Sequence, residues 1–94
     1  MVVMILERVP KALRGTLSRW LIEPSQGVFV GHVTAMVRDQ LWEKCKGSKR
    51  TGGVVQIWNF NNEQRFKMRM SGNTKRRIIE IEGLQLVEIP RGEG

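Results

Sequence analysis

Two rhythms of apolar and polar positions run through this chain. Residues 2–6 (Val-Val-Met-Ile-Leu) are apolar on both faces, the pattern of a central strand covered on both sides. Glu7 and Arg8 end that run, and Pro10, which has no amide hydrogen to leave unpaired, fits a first helical turn. Leu13, Leu17, Trp20 and Leu21 recur at helical spacing and predict a core-facing stripe. Lys11, Arg14, Gly15 and Ser18 fall on the opposite side. Pro24 to Gly27 is a turn cluster, with the stub of a strand expected at Leu21 to Glu23 before it. Val28 to Val30 reads as a short strand after the turn, closed by Gly31.

The helical rhythm returns from Val33 to Lys46, where Val33, Val37, Leu41 and Cys45 recur every fourth residue and Met36 widens the stripe. Gly47 is a helix stop, and Lys44 and Lys46 complement the negative end of the helix dipole. The basic, glycine-rich loop from Lys46 to Gly53 lacks the spacing of a phosphate-cradling nucleotide loop. Val54 to Phe60 predicts a strand, and Asn61-Asn62 a turn. In the next strand Phe66, Met68 and Met70 should point one way while Arg65, Lys67 and Arg69 point the other. A loop with three adjacent cations, Lys75, Arg76 and Arg77, follows. Ile79 and Ile81 then alternate with Glu80 and Glu82, Leu84 to Ile89 forms a last strand, and residues 91–94 form a flexible tail.

This order of elements implies an α+β fold, a ferredoxin-like βαββαβ sandwich within a single domain at residues 1–90, its crossovers long enough for parallel pairing. The C-terminal strand is surplus to that plan. Its expected place is the edge of a partner subunit's sheet in a homodimer, where it would remove an exposed edge from each copy. Ninety-four residues bury roughly two-thirds of their unfolded surface, so a second copy would thicken a thin core.

Composition narrows the function. Sixteen Lys and Arg stand against nine acids, for a net charge of +7 and a pI near 10.6, which favours a polyanionic partner. No apolar run approaches the roughly 18 residues of a spanning helix, and the N-terminal hydrophobics lack the basic flank of a signal peptide. A cytoplasmic protein with no membrane contact is therefore expected. The single cysteine, Cys45, excludes an internal disulfide and reads as a small buried hydrophobe on a helix. His32, the one histidine, reads as a capping or surface residue, and the chain supplies no Ser/His/Asp or Cys/His set.

Two candidate sites remain. Glu7 lies at the carboxyl end of the first strand, where an α/β site is expected. One carboxylate makes a poor Mg²⁺ site, but two copies meeting across a dimer axis would serve a metal-dependent phosphodiesterase. Pairing with Arg8 or capping the Pro10 helix is the structural alternative for Glu7. The second candidate is a basic platform: Lys11 and Arg14 with Gly15 allowing close approach, then Arg65, Lys67 and Arg69, then Lys75, Arg76 and Arg77. Trp20, Trp42, Phe29 and Phe66 are all expected to face the core, which argues against base stacking and for contacts to a duplex backbone.

Several ordered motifs carry a resemblance. Glu7-Arg-Val-Pro-Lys-Ala-Leu-Arg-Gly15, Trp20-Leu21, Gly27-Val-Phe-Val-Gly31, Val33-Thr34 and Arg38-Asp-Gln-Leu-Trp-Glu43 resemble the CRISPR-associated protein 2 family in its type I-E form. Gly53-Val-Val55, Lys75-Arg76 and Glu82-Gly-Leu84 continue it to about residue 89. The resemblance implies a ferredoxin-like homodimer whose C-terminal strand crosses to the other subunit. It also implies a role in spacer acquisition: a central dimer clamped between two dimers of the larger CRISPR integrase, with prespacer duplex DNA across its basic face. Arg14, Lys75 and Arg76 match DNA-contacting positions of that family. Ala12 stands where relatives can carry another arginine, with Lys11 as its substitute. The wider family is described as Mg²⁺-dependent endonucleases acting on RNA or DNA through an aspartate where this chain has Glu7. The type I-E branch shares that departure, and there the integration chemistry belongs to the larger partner.

Overall fold

The computed structural model describes residues 1–48, 50–72, 77–81 and 84–88, with the backbone alone at residues 77 and 79–81. Its elements run β1 (Val2–Leu6), α1 (Lys11–Ser18), β2 (Ile22–Ser25), β3 (Val28–Gly31), α2 (Ala35–Lys46), β4 (Val54–Asn59), β5 (Phe66–Ser71), β6 (Arg77–Ile81) and β7 (Leu84–Glu88). Lys75, Arg76 and the expected tail at 91–94 lie outside the described residues.

The main sheet has the order β2-β3-β1-β4-β5, and every neighbouring pair in it is antiparallel. This corrects the expectation of parallel pairing. The crossover through α1 joins β1 to a parallel β2, and that through α2 joins β3 to a parallel β4. In each case one antiparallel strand sits between them, which is the split arrangement of a ferredoxin-like α+β fold. β5 lengthens the sheet beyond β4, in register from Val54↔Ser71 to Asn59↔Phe66.

Strand periodicity decides what each face carries. On β1, Val2, Met4 and Leu6 are buried under the helices, whereas Ile5 is 40% exposed. The expectation that β1 is covered on both faces therefore fails for one chain: both helices pack on the same side. Their contribution is Leu17 from α1 and Leu41, Trp42 and Cys45 from α2, joined by Leu21, Phe29 and Val54. Phe29 and Met4 are wholly enclosed, and each such side chain stabilises the fold by about 1.5–3 kcal/mol through burial.

Helix ends explain the remaining departures. α1 stops at Ser18, so helical periodicity no longer governs Trp20, which is 52% exposed rather than core-facing. Leu21 still reaches the core, its amide bonded to the Leu17 carbonyl at 2.9 Å. α2 begins two residues later than expected because Thr34 caps it, its hydroxyl accepting from the Val37 amide at 3.2 Å. The buried stripe is widened by Trp42, while Met36 faces outward. His32 is exposed and plays no part in that cap. Between β2 and β3 the turn requires Gly27: its φ is +80°, and a Cβ there would come 2.5 Å from the Leu6 carbonyl oxygen.

β6 and β7 form a separate two-stranded sheet, with Arg77 opposite Glu88 and Ile81 opposite Leu84. The strand expected to be surplus thus pairs with β6 in its own chain. Two glutamines fasten the hairpin to the outer edge of β5. The Gln85 side chain accepts from the Met68 amide at 2.8 Å and donates to the Met68 carbonyl at 2.9 Å. The Gln64 side chain brackets the backbone N–H and C=O of Gln85 in the same way. Each amide group stands in for one residue of a neighbouring strand.

Candidate nucleic-acid interface

The exit of β1 is stitched to the loop before β4. Glu7 N donates to the Gly53 carbonyl and Arg8 N to the Thr51 carbonyl, both at 3.0 Å. The Glu7 side chain is exposed, and its Oε2 accepts from the Gly53 amide at 3.2 Å. That bond replaces both expected alternatives: Glu7 forms no ion pair with Arg8 within 4.0 Å, and α1 has no side-chain cap. Among the described residues no group of three or more His, Cys, Asp or Glu side chains is placed to hold a metal ion. A hard divalent cation prefers several oxygen ligands. A lone carboxylate next to the Arg8 guanidinium does not fit Mg²⁺ within one protomer.

The outer face of α1 carries Lys11, which is exposed, and Gly15, in front of which nothing lies within 4 Å of a Cβ position. Arg14 is partly engaged inward. Its Nε and Nη2 donate to Glu23 Oε1 and Oε2 on β2 at 3.0 and 3.2 Å, and Glu23 also accepts from the Gly27 amide. These bonds hold the Glu23 carboxyl below its ordinary pKa, the Arg14 hydrogen bond being the larger cause.

The expected row Arg65, Lys67, Arg69 is divided by the fold. Arg65 sits before β5 with a positive φ of 71° and is exposed. Lys67 lies over the Phe60 ring, its Nζ 4.0 Å from the centroid. Arg69 lies on the helix side of the sheet opposite Gln56, its side chain only partly exposed. Its guanidinium lies 4.7 Å from the Trp42 ring and 4.9 Å from that of Trp58, and it donates to Gln56 Oε1 at 2.8 Å and Asp39 Oδ1 at 2.9 Å. Gln56, fully buried, in turn donates to the Arg38 carbonyl, and Arg38 stacks on Trp58 at 4.6 Å. Hydrogen bonds from Arg38 and Arg69 hold the Asp39 carboxyl below its ordinary pKa. Sequence reading missed this stack. Its only local trace is Arg38 and Trp42, four residues apart on one helix face.

The third basic group is reached only at its end: Arg77 opens β6, and Lys75 and Arg76 lie outside the described residues. Cys45 is fully enclosed, and burial pushes its thiol up to about 11, far from the reactive range. No described helix is long and apolar enough to cross a membrane. A comparison with protein families finds one described as CRISPR-associated protein (Cas_Cas2CT1978), matched over residues 1–86.

Proposed function

Since this chain belongs to the Cas2 family of CRISPR-associated proteins, a class of CRISPR adaptation proteins, we propose that it acts in spacer acquisition as a dimeric scaffold. In this reading it holds the backbone of a prespacer duplex inside the CRISPR integrase complex, with two dimers of the larger subunit flanking it. The observation that carries it is the outer face of α1, where exposed Lys11, half-exposed Arg14 and the open position at Gly15 leave room for a phosphate backbone. In this reading Lys75, Arg76 and Arg77 also contact the duplex backbone, and Arg65 and Lys67 add further positive charge.

The homodimer has its own support. Among the described residues the sheet face away from the helices exposes apolar side chains, with Ile5 at 40% and Ile22 at 69% exposure. β7 adds exposed Leu84, Leu86 and Val87, which suits a C-terminal strand that pairs with a partner subunit.

Duplex binding tests the platform. Replacing Arg14, Lys75 and Arg76 together by Ala should weaken binding and flatten its log–log salt dependence by about 0.9 for each phosphate no longer neutralised. An unchanged slope would remove this surface from the reading. The alternative is a Mg²⁺-dependent endonuclease with Glu7 of both copies at the dimer axis, favoured only by the exposed Glu7 carboxylate at the end of β1. With the integrase partner present, Glu7→Gln should integrate spacers like the parent. Metal-dependent cleavage that disappears in Glu7→Gln would instead support the nuclease.

A further inference from the structure

Four of the described cations are paired with acids. Arg14 meets Glu23, Arg38 and Arg69 meet Asp39, and Lys46 meets Glu43, all within 3.1 Å. Lys11, Arg19, Lys44 and Arg65 are not among them, and neither are Arg8 and Arg50, which the fold links. Both are exposed, and neither has an acidic partner among the described residues. The one side-chain hydrogen bond of Arg8 runs from Nε to the main-chain carbonyl of Arg50 at 3.3 Å. It orients the guanidinium and leaves its terminal nitrogens without an acceptor.

The loop that sets the main chain of Arg50 against the side chain of Arg8 is tightly tied. Thr51, 1% exposed, donates its hydroxyl to the Ser48 carbonyl at 2.9 Å, which anchors the loop to the end of α2. The Thr51 carbonyl receives the Arg8 amide, and the Gly53 carbonyl receives that of Glu7. Gly52, with φ +67°, passes so close above that a Cβ would lie 2.8 Å from Glu7 Oε2 and 3.3 Å from Arg8 Nη2. The nearest acid is itself engaged, because Glu7 accepts from the Gly53 amide.

From this geometry we infer that Arg8 and Arg50 form a phosphate clamp at the exit of β1, a contact to duplex DNA additional to the α1 face. Guanidinium forks match phosphate oxygens in pairs, and a fork already oriented loses less freedom on binding. The occupant is a duplex backbone because the chain leads from Arg8 through Val9 and Pro10 directly to Lys11 on α1. The clamp and the helix then engage one continuous polyanion. The inference rests on the duplex-binding reading above.

Salt-dependent binding to a non-specific DNA duplex, followed by fluorescence anisotropy, separates the two. Arg50→Gln keeps every hydrogen bond described here, since Arg8 uses only the main chain of residue 50. Its log–log slope should fall by about 0.9 with an unchanged melting temperature, and that of Arg8→Gln with Arg50→Gln by about twice as much. If both keep the parent slope while Lys11→Gln flattens it, the clamp is overturned and the α1 platform stands. If Lys11→Gln is also without effect, clamp and platform fall together. Weakening that is equal at every salt concentration and follows a lowered melting temperature also overturns the clamp, because it reports folding.

Discussion

Arg14 and Glu23 are joined as fork to carboxylate, Nε to Oε1 at 3.0 Å and Nη2 to Oε2 at 3.2 Å. The pair ties α1 to β2, the edge strand on its side of the sheet, and it takes up part of a guanidinium that the proposed DNA platform would use. The same two hydrogen bonds therefore govern local stability and the charge offered to a phosphate.

Glu23→Gln should separate these roles. With the carboxylate removed, Arg14 is released to solvent, and the duplex affinity should rise with a log–log salt slope steeper by up to about 0.9. The pH dependence follows from the direction of the shift. The folded-state pKa of Glu23 is lowered, so its stabilising contribution is complete above the unfolded-state value, near 4.5, and is lost as pH falls through the lower folded value. Thermal melting of parent and variant should differ at neutral pH and converge in acid.

Arg69→Ala should be felt in stability, with little effect on the salt slope of DNA binding. It strips Gln56 Oε1 of its donor in a fully buried setting and removes the cation from the faces of two rings. A loss of about 2–3 kcal/mol in urea unfolding is expected. Arg69→Lys keeps the charge but not the planar fork, and should recover only part of it.

Ile5→Asp places a charge on the uncovered face of the central strand. If the proposed dimer buries that face, sedimentation should move from dimer to monomer while the far-ultraviolet circular dichroism is kept. A variant that remains dimeric would locate the interface elsewhere.

Cys45 should resist alkylation at pH 8 until the protein is unfolded, as followed by mass spectrometry. Its folded-state pKa is raised from 9.0 to about 11 by burial. The unfolded chain thus releases its proton first, and this residue's contribution to stability is lost as pH climbs through that interval.

The legible part of the fold is the part governed by local rhythm. The apolar run Val2–Leu6, the Leu17–Leu21 turn, the Val37–Leu41–Cys45 stripe and the Gly27 hairpin all appear within a few residues of where the pattern puts them. What escaped depends on neighbours distant in sequence. Apolar residues on both sides of β1 read as two covered faces, but among the described residues both helices pack on one of them and Ile5 on the other stays 40% exposed. Arg69 looked like a solvent cation because alternation gives two faces without saying which one meets the helices. Its partners, Asp39, Trp42 and Gln56, come from α2 and β4. Glu7 was placed correctly at the strand end, yet its engagement by Gly53 spans 46 positions and has no local signature.

The glutamine clasp on β5 has a consequence for how the protein behaves at high concentration. An unpaired strand edge invites the same edge of another molecule, and the outward N–H and C=O of Met68 would be such an invitation. Gln85 answers both from within the chain. At the opposite margin β2 is four residues long and contains Pro24, which has no hydrogen to offer. The main sheet is thus blunted at both ends. Edge-to-edge fibre growth through the main sheet is thereby disfavoured, which leaves the exposed apolar side chains of Ile5, Ile22 and β7 as the surfaces for self-association.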